Sequence, residues 1–144
     1  MNDRPIFHLA IPINDVAKAK NFYCEGLGCQ LGRETPTAII LNFYTHQVVA
    51  HVTSETLTPP KSIYPRHFGL IFPSLSDWEE IVARAEQKNL HFYQQPKLRF
   101  PGKITEHRTF FLEDPFYNLL EFKFYLHSEA IFGAIESAAI GDRD

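Results

Sequence analysis

The chain has 144 residues, of which 44% are hydrophobic and 14% aromatic, so it is long enough to enclose a hydrophobic core. The formal net charge is −3, and lysine and arginine are scattered along the chain, which argues against a nucleic-acid surface. No apolar run approaches the ~20 residues that cross a bilayer. We therefore expect a cytoplasmic protein that binds a small molecule and neither nucleic acid nor a membrane.

The first predicted element is a strand over residues 7–13, in which every second residue is large and apolar. One face of this strand is expected to pack in a core. The opposite face carries His8 beside a small residue, as if space were left for a ligand. A near copy follows at residues 66–72, where His67 shares its face with Gly69. Two strands with the same unusual face predict a duplicated module.

The elements after the first strand complete module one, which we place at residues 5–54. Asn14 or Asp15 can cap a helix that ends at Gly26 and Gly28. Strands are predicted at residues 29–33, 37–43 and 48–53, with a turn at 45–47, which gives the order β-α-β-β-β. Residues 55–64 are polar and contain two consecutive prolines, so they are interpreted as a linker.

Module two is predicted at residues 65–126 and repeats this order. Its helix can be capped by Ser74 or Ser76, and strands follow at residues 91–95, 108–112 and 119–125, with a long loop at 96–106. In the remaining segment, 127–144, apolar residues at helical spacing predict a short packing helix before a disordered end at 141–144. The fold class is therefore α+β, a single domain of two paired modules.

Four side chains on these strands are candidate metal ligands. Glu121 lies in an apolar strand, on the face opposite the main hydrophobic row, and a charged carboxylate there needs a partner. His51 lies in the last strand of module one, while His8 and His67 lie on the two first strands. Imidazole and carboxylate groups are good ligands for a divalent metal. The alternatives are structural histidines and a Glu121 that pairs with an arginine, and His51 is either a ligand or an acid–base group.

This combination resembles the vicinal oxygen chelate superfamily, which includes glyoxalase I, extradiol dioxygenases, fosfomycin resistance enzymes and bleomycin resistance proteins. The resemblance covers residues 6–125 and is carried by four stretches, at residues 7–15, 22–29, 67–70 and 111–122. It implies modules whose sheets curl around a metal-binding cleft, with ligands at His8, His67 and Glu121 and with His51 at the fourth position. Family members usually have glycine where Tyr117 stands.

Three functions follow from the resemblance. The preferred one is a dioxygenase-like enzyme that uses Fe(II), in which His51 and Tyr117 are catalytic. The alternative enzyme is a glyoxalase-type lyase or isomerase that uses Ni, Zn or Co, and Mn is a further candidate metal. The third is a resistance-type protein that only binds a small molecule. Metal content separates this binding protein from the enzymes.

The resemblance also implies a partner and a substrate region. Many family members are homodimers, and in some of them two chains share each site, so His8 and His67 either meet within one chain or across two. Arg99 and His107 are the candidate substrate-binding residues. Arg99 belongs to the predicted loop 96–106, which would close over the cleft and select an anionic substrate.

Overall fold

The structure, a computed structural model, describes residues 4–141. Residues 142–144, most of the predicted disordered end, lie outside the described residues. The strands are β1 (His8–Ile13), β2 (Gln30–Thr35), β3 (Ala38–Phe43), β4 (His46–Val52), β5 (Phe68–Ile71), β6 (Phe92–Arg99), β7 (His107–Glu113) and β8 (Leu119–Tyr125). The helices are α1 (Val16–Lys20), which continues in wider π-type turns over Asn21–Gly26, and α2 (Leu75–Gln87).

These strands form two four-stranded sheets with the orders β1-β4-β3-β2 and β5-β8-β7-β6. In each sheet the first strand of the module pairs parallel with the last, and the other pairs are antiparallel. The two modules therefore repeat one topology, and the predicted α+β fold class with paired modules is confirmed. Strands β1 and β5 both lie at a sheet edge.

One face of each sheet packs into a shared core. In β1 the buried residues are Ile11 and Ile13, as the alternation of apolar residues predicts. In β8 the buried face carries Phe122, whose ring centroid lies 6.5 Å from that of Phe43 in β3. The two modules thus pack against each other through these apolar faces. His8 and Glu121 lie on the opposite faces of their strands, so both candidate site faces are turned away from the common core.

Polar contacts at the ends of the strands tie the modules together. The buried hydroxyl of Tyr23 donates to Oδ2 of Asp114 over 2.6 Å, and Asn118 donates to the carbonyl of Pro12 over 3.1 Å. Asp114 also accepts from the backbone N–H of Phe116 and of Asn118 in the β7–β8 turn. Since these partners come from both halves of the chain, Asp114 has a structural role at the junction.

The predicted packing helix after residue 127 is wrong. The structure has only a 3-10 turn at Ser128–Ala130, followed by isolated turns. Ala134 adopts a positive φ of 54°, which interrupts a right-handed helix. Phe132 is 97% exposed and Ile135 92% exposed, so these two apolar side chains have no surface of their own chain to pack on.

The end of strand β6 also differs from the prediction. Strand β6 continues through Pro96 to Arg99, so the loop that was placed at 96–106 starts only at Phe100. A register shift between Gln94 and Lys97 accommodates the proline, which cannot donate a ladder hydrogen bond. Arg99 is therefore a strand residue and does not belong to a mobile lid.

Candidate active site

The centre of the candidate site is a pair of side chains in module two. Nε2 of His67 lies 3.1 Å from Oε1 of Glu121, and the two side chains are 22% and 12% exposed. The second carboxylate oxygen of Glu121 accepts a hydrogen bond from the hydroxyl of Thr109 over 2.6 Å. The expected proximity of His67 and Glu121 is thus observed, and both groups are held in place by neighbours.

The contacts of the imidazole define which nitrogen faces the carboxylate. Nδ1 of His67 lies 2.6 Å from the carbonyl oxygen of Ile63, which can only accept, so Nδ1 carries a proton. In the neutral ring Nε2 is then an acceptor that faces a carboxylate, and such a pair needs a proton or a cation between its atoms. A metal-binding histidine commonly donates its other N–H to a backbone carbonyl in this way.

The electrostatics of the pair agree with this geometry. The hydrogen bond with Glu121 raises the pKa of His67, although partial burial acts in the opposite direction. Burial raises the pKa of Glu121, but the bond with His67, the charge of Lys123 and the Thr109 hydroxyl outweigh it, so this pKa is lowered. Without a metal, both shifts favour the imidazolium form of His67 and the carboxylate form of Glu121.

Gly69 lies directly opposite Glu121 in the β5–β8 pair. A Cβ at this position would clash with the Glu121 backbone, because it would lie only 2.6 Å from the carbonyl carbon. The small residue beside His67 therefore leaves room for the neighbouring strand and not for a ligand. Glycine is required here because the β8 backbone itself occupies the space.

His8 lies at the start of β1 in module one and is exposed. Its Nδ1 lies 2.7 Å from the side-chain oxygen of Gln47, its partner in the strand register. Like His67, it lies at the beginning of the edge strand of its sheet. The two histidines thus occupy equivalent places at the edge strands of the two modules.

The register of β1 and β4 does not place His51 beside His8. His51 lies opposite Pro12, four residues further along, which corresponds to about 13 Å along the strand. The place that Glu121 occupies opposite Gly69 in module two is occupied in module one by Val49, opposite Ala10. His51 is therefore not a neighbour of His8 in the strand register, and its role as a ligand or an acid–base group stays a prediction.

Within residues 4–141, no three His, Cys, Asp or Glu side chains come together as a metal-binding group. One chain therefore presents two potential ligands, His67 and Glu121, in an arrangement that fits a divalent metal. A third ligand is needed to complete a 2-His-1-carboxylate set. The thiols offer none near the pair: Cys24 is half-buried, and burial raises the pKa of Cys29 to about 12.

The remaining predicted site residues are Arg99, His107 and Tyr117. Arg99 pairs with His107, which pairs with Tyr125, so all three lie on the same face of the second sheet as Glu121. His107 is only 3% exposed, and its Nδ1 lies 2.9 Å from the carbonyl oxygen of Thr105. Tyr117 lies in the β7–β8 turn and is 40% exposed, and its catalytic role stays a prediction.

Thr109 is the site residue that sequence reasoning missed. It is 1% exposed and lies in β7, diagonally across from Glu121. The alternation of side chains in β7 could have predicted it, because this alternation places Thr109 on the same face as His107 and Phe111. A buried hydroxyl on that face needs an acceptor, and Glu121 is the carboxylate within its reach.

A family model, the Glyoxalase/Bleomycin resistance protein/Dioxygenase superfamily, matches residues 6–122. The chain belongs to this superfamily. A glyoxalase/bleomycin resistance protein/dioxygenase from Alicyclobacillus acidocaldarius has a similar structure, with 41% sequence identity, a TM-score of 0.85, and coverage of 91% of this chain and 98% of that one. No curated protein matches the chain.

More distant solved structures share the fold alone. The fosfomycin resistance protein FosX from Listeria monocytogenes is 13% identical, with a TM-score of 0.69 over 88% of this chain and 98% of that one. A virulence protein from Salmonella typhimurium is 24% identical, with a TM-score of 0.59 over 88% and 100%. The superfamily includes enzymes and drug-resistance proteins. No helix within residues 4–141 is long and apolar enough to cross a membrane.

Proposed function

We propose that this glyoxalase-superfamily protein is a divalent-metal-dependent enzyme of the dioxygenase type, with Fe(II) as its metal. Its substrate would be a small molecule that chelates the metal through two neighbouring oxygens. The observation that carries this proposal is the His67–Glu121 pair, in which an imidazole with a fixed tautomer faces a carboxylate at 3.1 Å. Such a pair is half of a metal site, because a cation can replace the shared proton.

The number of available ligands favours Fe(II) dioxygenase chemistry over a glyoxalase-type lyase. A lyase of that type uses four protein ligands, and the fourth would lie on β4 at the position equivalent to Glu121. Val49 occupies that position and cannot bind a metal. His8, His67 and Glu121 would instead form a 2-His-1-carboxylate set that leaves coordination positions open.

We further propose that the third ligand comes from a second copy of the chain in a homodimer. Strands β1 and β5 are edge strands with unpaired backbone groups, and an edge strand is a natural place for pairing between chains. His8 begins β1, and His67 immediately precedes β5. If β1 of one copy lies beside β5 of the other, His8 reaches the His67–Glu121 pair.

The residues of this chain would contribute binding and orientation. A bound Fe(II) supplies a Lewis acid for two substrate oxygens and a redox centre for chemistry with dioxygen. The Ile63 carbonyl holds the imidazole of His67 in one tautomer, and the Thr109 hydroxyl fixes one oxygen of Glu121. These contacts hold both ligand atoms in place on the face of the sheet that is turned away from the shared core.

Elemental analysis of protein purified without oxygen tests the proposal. We expect about one iron per chain, because a symmetric dimer would hold two iron sites, each with three protein ligands. The His67→Ala and Glu121→Ala variants should lose it. His51→Ala is the matched control, because His51 lies outside the ligand set and its removal should leave the iron content unchanged.

Oxygen uptake with catechols then separates the enzyme classes. Iron together with catechol-dependent oxygen consumption supports the dioxygenase. If the protein holds nickel, zinc or cobalt and consumes no oxygen, the lyase or isomerase function is favoured over the dioxygenase. Protein that stays metal-free after incubation with each of these ions would contradict both, and would leave a binding protein.

A further inference from the structure

A second feature of the module-two face is a half-buried cation beside the candidate metal pair. Lys123 follows Glu121 by two residues in β8 and lies on the same face. Its Nζ donates to the hydroxyl of Tyr125 over 2.7 Å and lies 4.8 Å from the centre of that ring. The tyrosine therefore holds the ammonium group in one place.

Glu121, the carboxylate next to Lys123 on this face, attracts the ammonium group but is already engaged by two other partners. Both oxygens of Glu121 are engaged, one with His67 and the other with Thr109. Among residues 4–141, Lys123 forms no ion pair with any carboxylate within 4.0 Å, and Tyr125 uses only one of its three donors. A partly buried ammonium group is costly without an anionic partner, so this one is suited to a partner that arrives from outside.

The strand register adds two more cationic positions to the same face. Lys97 in β6 pairs with Thr109, which pairs with Lys123, so these three residues form one row across the sheet. Arg99 lies two residues further along β6, in the row of Tyr125. Along this face, the row of Glu121 is thus followed by two rows that carry positive side chains.

We infer that this face binds an acidic group of the substrate, a carboxylate or another oxyanion, through Lys123 as positioned by Tyr125. The inference rests on the proposed function, since it names the substrate class of the same site. Residues two apart in a strand are separated by about 7 Å. This separation matches an aromatic ring that carries its chelating oxygens at one end and its acidic group at the other.

The first experiment measures binding of benzoate and phenylphosphonate to the metal-free protein by calorimetry. Wild-type protein should bind both probes, and Lys123→Met should weaken binding about tenfold or more, since charged hydrogen bonds carry such a difference. Lys123→Arg, which keeps the charge, should recover most of it. Lys103→Met is the matched control, because Lys103 is an exposed lysine in the loop after β6.

The second experiment compares 3,4-dihydroxybenzoate with catechol in the iron-loaded protein. Lys123→Met should lower kcat/KM for the acid about tenfold or more and leave that for catechol nearly unchanged. Its iron content should equal that of wild type, because Lys123 is not a ligand. Tyr125→Phe should raise KM for the acid with little effect on kcat, as a positioning residue would.

The outcomes separate this inference from the metal proposal. Wild-type affinity in Lys123→Met, or no binding by the wild-type protein, would overturn the anion site even if iron is present. A tenfold loss confined to Lys103→Met would assign anion binding to the loop and also overturn it. Binding that depends on Lys123 in a protein that never holds a metal would support the anion site and reject the metal proposal.

Discussion

Nε2 of His67 faces Oε1 of Glu121 at 3.1 Å, while Nδ1 of the same ring is committed to the carbonyl of Ile63. Because the ring has its tautomer fixed from one side, the other side can hold either a proton or a metal. The pair is therefore an ion pair in the metal-free protein and, under the proposed function, half of a metal site. The two states are mutually exclusive, and pH decides between them.

The first prediction concerns stability of the metal-free protein against pH. The pKa of His67 is raised, so its stabilising effect is complete below the ordinary value of 6.5 and is lost as pH rises through the raised value. The pKa of Glu121 is lowered, so its effect is present above the ordinary value of 4.5 and is lost at lower pH. His67→Gln should therefore destabilise the protein more at pH 6 than at pH 9.

Urea unfolding with a chelator present, at pH 6 and pH 9, measures this difference. His91→Gln serves as the control, because its contact with Glu113 is longer, at 3.5 Å, and its side chain is 68% exposed. An equal loss of stability for His67→Gln at both pH values would show that attraction between the imidazolium and the carboxylate does not stabilise the protein.

The second prediction tests whether two chains share the site. His8→Ala and Glu121→Ala should each be inactive alone, since each removes one ligand from every site. In a heterodimer of the two variants, one site loses both ligands and the other is intact. An equal mixture that exchanges subunits should recover about a quarter of wild-type activity, as closed two-fold symmetry requires. Continued inactivity after proven exchange would place all three ligands in one chain.

The third prediction concerns the link between the modules at Asp114. Burial raises the pKa of this carboxyl, against four hydrogen bonds that lower it, among them the one from Tyr23. Tyr23→Phe removes that donor and leaves a buried oxygen with fewer partners, so it should cost about 1–3 kcal/mol of unfolding free energy. Tyr117→Phe is the control with an exposed hydroxyl, and an equal effect of both changes would contradict the assignment.

The fourth prediction concerns the turn in which the superfamily usually has glycine. Tyr117 adopts a φ of 68°, a left-handed conformation that disfavours residues with a Cβ. Tyr117→Gly should therefore raise the free energy of unfolding by about 1 kcal/mol. Tyr117→Ala removes the ring but keeps the strain, so thermal unfolding of the two variants separates these effects. A lower stability of Tyr117→Gly would show that the ring stabilises the turn.

The alternation of apolar residues was sufficient to predict which faces of β1 and β8 are buried. Because side chains alternate strictly along a strand, Glu121 and Phe122 had to lie on opposite faces, and the equivalence of β1 and β5 then brought His67 near the carboxylate. These features depend on local pattern and on the repeat, and both can be seen in one sequence.

The position of His51 could not be predicted, because it depends on where the β3–β4 turn lies. Two-residue hairpin turns usually contain asparagine or glycine, whose backbones accept a positive φ. Here Tyr44 and Thr45 occupy the turn with φ values of 51° and 77°, so the sequence carries no turn signal. The predicted turn at residues 45–47 was one residue late, and the expected strand start at Val48 missed His46 and Gln47.

The tail shows a different limit of prediction. Apolar residues at helical spacing favour a helix only when they have a surface to pack on. Phe132 and Ile135 are almost fully exposed in the single chain, so the spacing alone could not produce one. Sequence patterns indicate which residues are suited to burial, but they do not indicate whether the same chain provides a surface for those residues to pack on.

The two free sheet edges have a consequence for how the protein behaves on dilution. If each metal is held by residues of two copies, separation of the copies also divides every ligand set. Turnover per chain would then fall as the protein is diluted, and excess metal would draw the copies back together. Loading with metal and assembly of the protein would be one equilibrium, in which each favours the other to the same extent.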